Sequence, residues 1–357
     1  MHVTLVSGID PTANAGGTRS YVLGLAQRLR DRNISVALVA RDGVQSPLSG
    51  VEYVRIQSGQ SSVRFLIRLI ALAPGLRIPR DSIIHVQRPD DLVAFAAKVR
   101  NPKVCTLHGI PPQAIRRRKG LAYALLYGAL ERAALGRTNR IIAVDERTAT
   151  WYAGRYPWLA RRTVVVPIAV DTDRFQPQDR ATARDRLGVR SDYVIAYAGR
   201  LSVEKRVDEI IRALRFVPQT ELLVAGEGPE EPRLRELARG LPVRFLGPVP
   251  HERMAGVLAA SDILVLASEY EGMPTIALEA FACGRPIVAT PVGGLPDVIV
   301  PGETGWLVPD LRALGAVLRD ALPKASSLER NCTAAAAPYR WDVVVDRILA
   351  VYEEAAA

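Results

Sequence analysis

The chain has 357 residues, 48% of them apolar, which exceeds one ordinary core and suits two domains. Its net charge of +10 is one-sided: residues 1–175 hold 26 Lys/Arg against 12 Asp/Glu, and the remainder hold 21 against 25. The basic half calls for an anionic partner such as a phosphorylated substrate, an anionic lipid surface or nucleic acid, but with 6% aromatics and no recognisable RNA motif nucleic acid is not expected. No run reaches the roughly 18 apolar residues of a spanning helix, and the opening MHVTLVSG lacks the basic start of a secretory signal. Cys105, Cys283 and Cys332 have no metal-type spacing and read as reduced, buried residues of a cytosolic protein.

Short β-branched runs alternate with helical stretches from the start. HVTLVSG predicts a strand, GTRSYVLGLAQRLRDR an amphipathic helix and SVALVA the next strand, and SIIHVQ, KVCTLHG and RIIAVDE continue the series. Apolar strands separated by helices predict a parallel sheet covered on both faces. The alternation breaks at 167–190, a polar stretch read as the linker, and restarts with YVIAYAGR, ELLVAGEG, VRFLG, DILVLAS, PIVAT and GWLV. The fold class is therefore α/β, with an N-terminal doubly wound domain over 1–175, a second over 176–338 and a last amphipathic helix over 339–357. Two such units predict a cleft, with ligands beyond the carboxyl ends of the strands.

The loops at those strand ends carry the chemistry. GIDPTANAGGTRS (8–20) places Gly16 and Gly17 before a helix, where backbone amides can approach an anion or a sugar. In TLHG, His108 ends a strand, where it can bond a sugar hydroxyl or move a proton near neutral pH. AGRLSVEKRVDEII puts Arg200 and Lys205 beside a helix start that Ser202 can cap. Two such cations suit a diphosphate, the arginine as a bidentate donor and the lysine as a point charge. In SEYEGMPTIALEAFACG, Glu271 lies in the loop and Glu279 on the helix that Pro274 opens and Gly284 closes. A carboxylate accepts two hydroxyls at once, so the pair can hold a hexose at one end and a ribose at the other, with the cations neutralising a diphosphate between them. The glycines of ATPVGGLPDVI, Gly293 and Gly294, can add backbone amides.

AGRLSVEKRVDEII, VAGEGPEEPRLREL, FLGPVP and the stretch from SEYEGMP to TGWLV resemble the retaining glycosyltransferases of family 4, over roughly residues 193–309, with a looser match in the glycine loop and TLHG. The resemblance implies the GT-B architecture of two facing Rossmann-like domains with a cleft between them. It implies catalytic roles for Glu271, His108, Arg200 and Lys205. The donor diphosphate falls to Arg200, Lys205, Gly16 and Gly17, the donor sugar to His108, Glu271, Gly272, Met273 and Pro274, and the ribose to Glu279. Many members read P-N-G-V-D at the linker, where this chain has PIAVD (167–171), so any contact of that asparagine is absent.

The expectation is transfer of a hexose-type sugar from a UDP- or GDP-sugar to a sugar or lipid-linked acceptor, a cell-envelope glycan or glycolipid. No cofactor and no metal are expected, since Arg200, Lys205 and the helix N-termini can stabilise the diphosphate without one. VRFLIRLIALAPGLRIPR (63–80) and IRRRKG (115–120) before LAYALLYGAL combine basic and apolar residues, the composition of a peripheral membrane patch on a cytoplasmic protein. The alternatives are a sugar-nucleotide epimerase or phosphorylase, or a non-catalytic binder of sugar nucleotides or nucleic acid.

Overall fold

The computed structural model describes the chain except for residues 11–16, 43–47, 60, 97, 99 and 111–119. Gly16 and most of the IRRRKG cluster lie outside the described residues. The chain divides into two units, one of residues 1–168 with 341–357, the other of residues 169–340. The sequence had set the first boundary at 175.

Among the described residues the first unit is built on seven parallel strands: β1 (His2–Ser7), β2 (Ser35–Arg41), β3 (Glu52–Ile56), β4 (Ser82–Val86), β5 (Lys103–Leu107), β6 (Arg140–Ala143) and β7 (Thr163–Val165). Their order is β3-β2-β1-β4-β5-β6-β7, so the winding reverses between β1 and β4. The second unit has six: β8 (Tyr193–Ala198), β9 (Thr220–Ala225), β10 (Val243–Gly247), β11 (Ile263–Leu266), β12 (Ile287–Ala289) and β13 (Gly305–Leu307). Here the order is β10-β9-β8-β11-β12-β13, and the reversal lies between β8 and β11. Two doubly wound parallel-sheet units are what the GT-B expectation required. In such sheets the loops leaving the two strands at the reversal diverge and leave a crevice.

The central strands are buried except at some of their ends, because helices cover both faces of each sheet. β3 and β7 escaped the sequence reading because they are the two edges of the first sheet, half-exposed and less apolar. The polar stretch taken for a linker also holds structure. A helix over Arg180–Leu187 starts at Asp179, whose side chain accepts from the Thr182 amide. That helix buries little apolar surface. Arg180 and Arg184 instead pair with the buried Asp262 at 2.7 and 2.6 Å, which hydropathy patterning does not see. The last helix, Trp341–Ala356, belongs to the first unit, where Trp341 stacks on Tyr21.

Candidate active site

Arg200 and Glu271 leave β8 and β11, the strands at the reversal of the second sheet. Tyr197 on β8 donates its hydroxyl to the Arg200 carbonyl at 2.8 Å, holding the turn, while the Arg200 side chain is exposed and has no ion-pair partner among the described residues. Burial keeps the Tyr197 phenol firmly protonated. The expected Ser202 cap is absent. Residues Val203–Lys205 form a single 3-10 turn, Arg206 adopts φ +50°, and the helix proper starts at Val207, so Ser202 Oγ is buried without a partner. This extra turn carries Lys205 toward the β11 loop, where the Glu269 amide donates to the Glu204 carbonyl at 2.8 Å.

Lys205 Nζ reaches Glu271 Oε1 at 2.6 Å, and Ser268 Oγ donates to the same oxygen at 2.6 Å. The loop is braced from below. Thr290 Oγ1 donates to the Ser268 carbonyl at 2.6 Å, and the Gly294 amide donates to the Gly272 carbonyl at 2.9 Å. Gly293 sits at φ +59°, and a Cβ there would stand 2.1 Å from the Gly272 oxygen, so only glycine permits this approach. Met273 is buried against Gly294. Gly293 and Gly294 thus shape the Glu271–Met273 loop.

Pro274 precedes the helix Thr275–Ala282. Glu279 is buried on it and meets His251 rather than Glu271: His251 Nε2 is 3.0 Å from Glu279 Oε1. Arg174 donates to His251 Nδ1 at 3.1 Å, so the ring carries its proton on Nε2 and donates it to Glu279. Phe175 packs on the same ring, centroids 5.1 Å apart. The other Glu279 oxygen has no protein partner among the described residues. Sequence reading missed His251. Its only signal was a histidine opening the helix after β10.

In the first unit His108 follows β5, half-buried, with Nε2 2.8 Å from Gln87 Oε1 and Tyr21 edge-on at 5.2 Å. Burial pushes its pKa down to about 4, so the ring is neutral near pH 7. Gly17 is the first residue of the helix Gly17–Asp31. At the reversal of the first sheet, Gly8 follows β1, Arg41 ends β2, and Arg88, Asp90 and Asp91 follow β4. A Cβ on Gly8 would be 3.6 Å from both Arg41 NH2 and Arg88 NH1, so the two guanidinium groups converge there. Arg88 is paired with Asp90. Asp91 is fully buried with both oxygens unpartnered, and burial lifts its carboxyl to about 7 against the pull of Arg88. Such a mixture of donors and acceptors suits a polyol or a phosphate ester. No motif announced it.

Helices Ser62–Leu72 and Leu121–Leu135 both pack on the 3-10 segment Pro89–Phe95. Their outer faces leave Ile67 61% and Leu126 70% exposed, with Val63, Ile70, Leu72, Leu121 and Leu125 also in solvent, beside exposed Arg64 and Arg68. Among the described residues no helix is long and apolar enough to cross a membrane, and no group of three or more His, Cys, Asp or Glu is placed to hold a metal ion.

The glycosyl transferases group 1 family matches residues 192–323, and glycosyltransferase family 4 matches residues 15–174. A D-inositol 3-phosphate glycosyltransferase of Mycobacteroides abscessus is 30% identical over 389 aligned positions, which cover 97% of this chain and 86% of that protein. Matches to several further relatives of that name span about half of those proteins' length. Among solved structures, a sucrose-phosphate synthase from Thermosynechococcus elongatus superposes with a TM-score of 0.84 at 24% identity, covering 99% of this chain and 98% of that one. Anabaena Alr3699/HepE in complex with UDP-glucose gives 0.77 at 20% identity over 98% of each chain. The structural matches speak for the fold, and the sequence matches, which between them span nearly the whole chain, place it in the group 1 glycosyltransferases of family 4.

Proposed function

We propose that this glycosyltransferase moves a hexose, with retention and without a metal, from a UDP- or GDP-sugar to an acceptor hydroxyl. The observation that carries the reading is the braced Lys205–Glu271 pair, with Arg200 unpaired among the described residues, at the crevice of the second sheet. Transfer breaks the bond between the anomeric carbon and a phosphate oxygen. Negative charge grows on the departing diphosphate and positive charge on the sugar ring. Arg200 and the free N–H groups of Lys205 meet the first, and Glu271 holds sugar hydroxyls beside the second. Gly272, Met273 and Pro274 set the floor of the sugar pocket, and Glu279, oriented by His251, accepts the ribose diol. HepE, a protein of this fold crystallised with UDP-glucose, supports a uridine donor.

Two features bear on the acceptor. The apolar and basic outer face of helices Ser62–Leu72 and Leu121–Leu135 fits an anionic membrane surface, which favours a lipid-linked envelope acceptor and a peripheral cytoplasmic location. The convergence of Arg41 and Arg88 near Asp91 favours a second reading, a small phosphorylated polyol, in keeping with the name of the Mycobacteroides relative.

The deciding experiment is thermal shift with UDP, GDP and ADP, with and without a chelator, followed by turnover of the matching sugar nucleotides. A chelator-insensitive shift with one nucleotide is expected. No shift with any of them sinks the donor reading, and sugar interconversion without an acceptor would make the enzyme an epimerase.

A further inference from the structure

Four polar side chains line one face of β4 and β5 and of the residues that follow them. His85 and Gln87 alternate on one strand, and Thr106 and His108 on the other. His85, Gln87 and Thr106 are buried, as is Tyr352 of the last helix, which reaches the same face. His85 Nδ1 lies 2.7 Å from the Tyr352 hydroxyl, and His85 Nε2 lies 2.7 Å from Thr106 Oγ1 and 3.4 Å from Gln87 Nε2. Gln87 Oε1 then lies 2.8 Å from His108 Nε2.

Chemistry sets the direction of this chain. With the Gln87 amide nitrogen placed toward His85 and its oxygen toward His108, His85 Nε2 is the bare nitrogen, accepting from Thr106 as well. His85 therefore carries its proton on Nδ1 and gives it to Tyr352. The Gln87 carbonyl oxygen can only accept, so His108 carries its proton on Nε2. Burial keeps both rings neutral, His85 down to about 3 and His108 to about 4.

We propose that Gln87 and His85 are positioning residues: they lock His108 as the Nε2–H tautomer, so that Nδ1 is presented as an acceptor for a hydroxyl of the sugar substrate. This rests on the glycosyl-transfer reading for its substrate, though not for its tautomer. A neutral acceptor beside a sugar ring that gains positive charge adds no repulsion, whereas an imidazolium would oppose the charge. In this role His108 delivers no proton to the leaving phosphate.

The test uses the full chain with 15N-labelled histidine and long-range proton–nitrogen correlation spectra of its four imidazoles. His108 should show a protonated Nε2 and a bare Nδ1 at neutral pH. Gln87→Leu should release it into a mixture of tautomers. Gln87→Glu puts a carboxylate on Nε2 and should raise the His108 titration. In that variant kcat should fall about tenfold, with the KM for the sugar nucleotide little changed, and should recover as pH rises and His108 loses its proton, an effect of about 1.4 kcal/mol. A merely structural Gln87 gives no recovery with pH. A wild-type Nδ1–H tautomer, or a His108 spectrum indifferent to Gln87→Leu, overturns the proposal. If Gln87→Glu does not fold, the wild-type and Gln87→Leu spectra still decide. If the tautomer holds but no donor is turned over, the transfer reading fails and the lock stands without a sugar to serve.

Discussion

Lys205 Nζ and Glu271 Oε1 are 2.6 Å apart, with the lysine side chain 23% and the glutamate 11% exposed. Both partners come from loops that leave the reversal strands, and Ser268 adds a second donor to the same oxygen. One Glu271 oxygen is thus committed to the protein, and the other has no protein partner among the described residues. The ion pair aims both groups before a substrate arrives, which lowers the reorganisation required in the transition state.

Lys205→Ala and Arg200→Ala should each cost roughly 1.5 to 3 kcal/mol of transition-state stabilisation, the range of a charged hydrogen bond. Lys205→Ala should also lower thermal stability, because it leaves Glu271 unpaired in a partly buried loop; Arg200→Ala should not. Steady-state kinetics with the cognate sugar nucleotide, beside melting curves, separates the two. Unchanged kcat/KM in both variants would refute a diphosphate role.

Glu279→Ala should weaken nucleotide binding more than turnover, and His251→Ala should do the same to a smaller degree, since it acts by orienting Glu279. Titration calorimetry with the free nucleotide reads this directly. A His251→Ala protein that binds as tightly as wild type would show that Glu279 needs no partner.

Gly293→Ala should perturb the Glu271–Met273 loop without touching any charged group. A methyl 2.1 Å from the Gly272 oxygen cannot be accommodated unless the loop moves, and the positive φ adds strain on the order of 1 kcal/mol or more. The expected result is lost activity with a fold that persists by circular dichroism. Full activity would mean that the loop tolerates displacement.

Asp91 sets a pH signature. Its carboxyl titrates near 7 in the native state against an ordinary value of 3.8, so the native state binds the extra proton and stability falls as pH rises from about 4 to about 7. The buried His85 and His108 act in the opposite sense, losing stability as pH falls from 6.5 toward their depressed values. Asp91→Asn should flatten the first effect and leave the second, so its stability relative to wild type should be greater at about pH 8 than at about pH 4. Denaturant unfolding at the two pH values measures this, and an equal difference at both would contradict it.

The sequence made the interior legible and the margins less so. Strands such as Ser82–Val86 and Thr220–Ala225 are buried on both faces and stand out by their apolar residues, whereas Glu52–Ile56 and Thr163–Val165 are edges and do not. The sequence singles out Arg200, Lys205 and Glu271 because they stand in loops after strands, and Glu279 because it lies on the helix that follows Glu271. His251, Asp91 and the Arg41–Arg88 convergence were not, because their partners are distant in sequence and each residue type is ordinary where it stands. The polar residues alternating on β4 and β5 were a signal, visible as polar positions two residues apart in largely apolar strands. Their meaning needed Tyr352, a long way down the chain.

That distance has a consequence for biogenesis. The hydroxyl that terminates the His85 chain arrives on a helix the ribosome makes only after the whole second unit, about 170 residues and roughly ten to thirty seconds later at usual elongation rates. Until then the β4–β5 face that meets Tyr352 has no cover from that helix. Chains cut off before Trp341 would be expected to fail as enzymes even though every substrate-facing residue proposed above has been made.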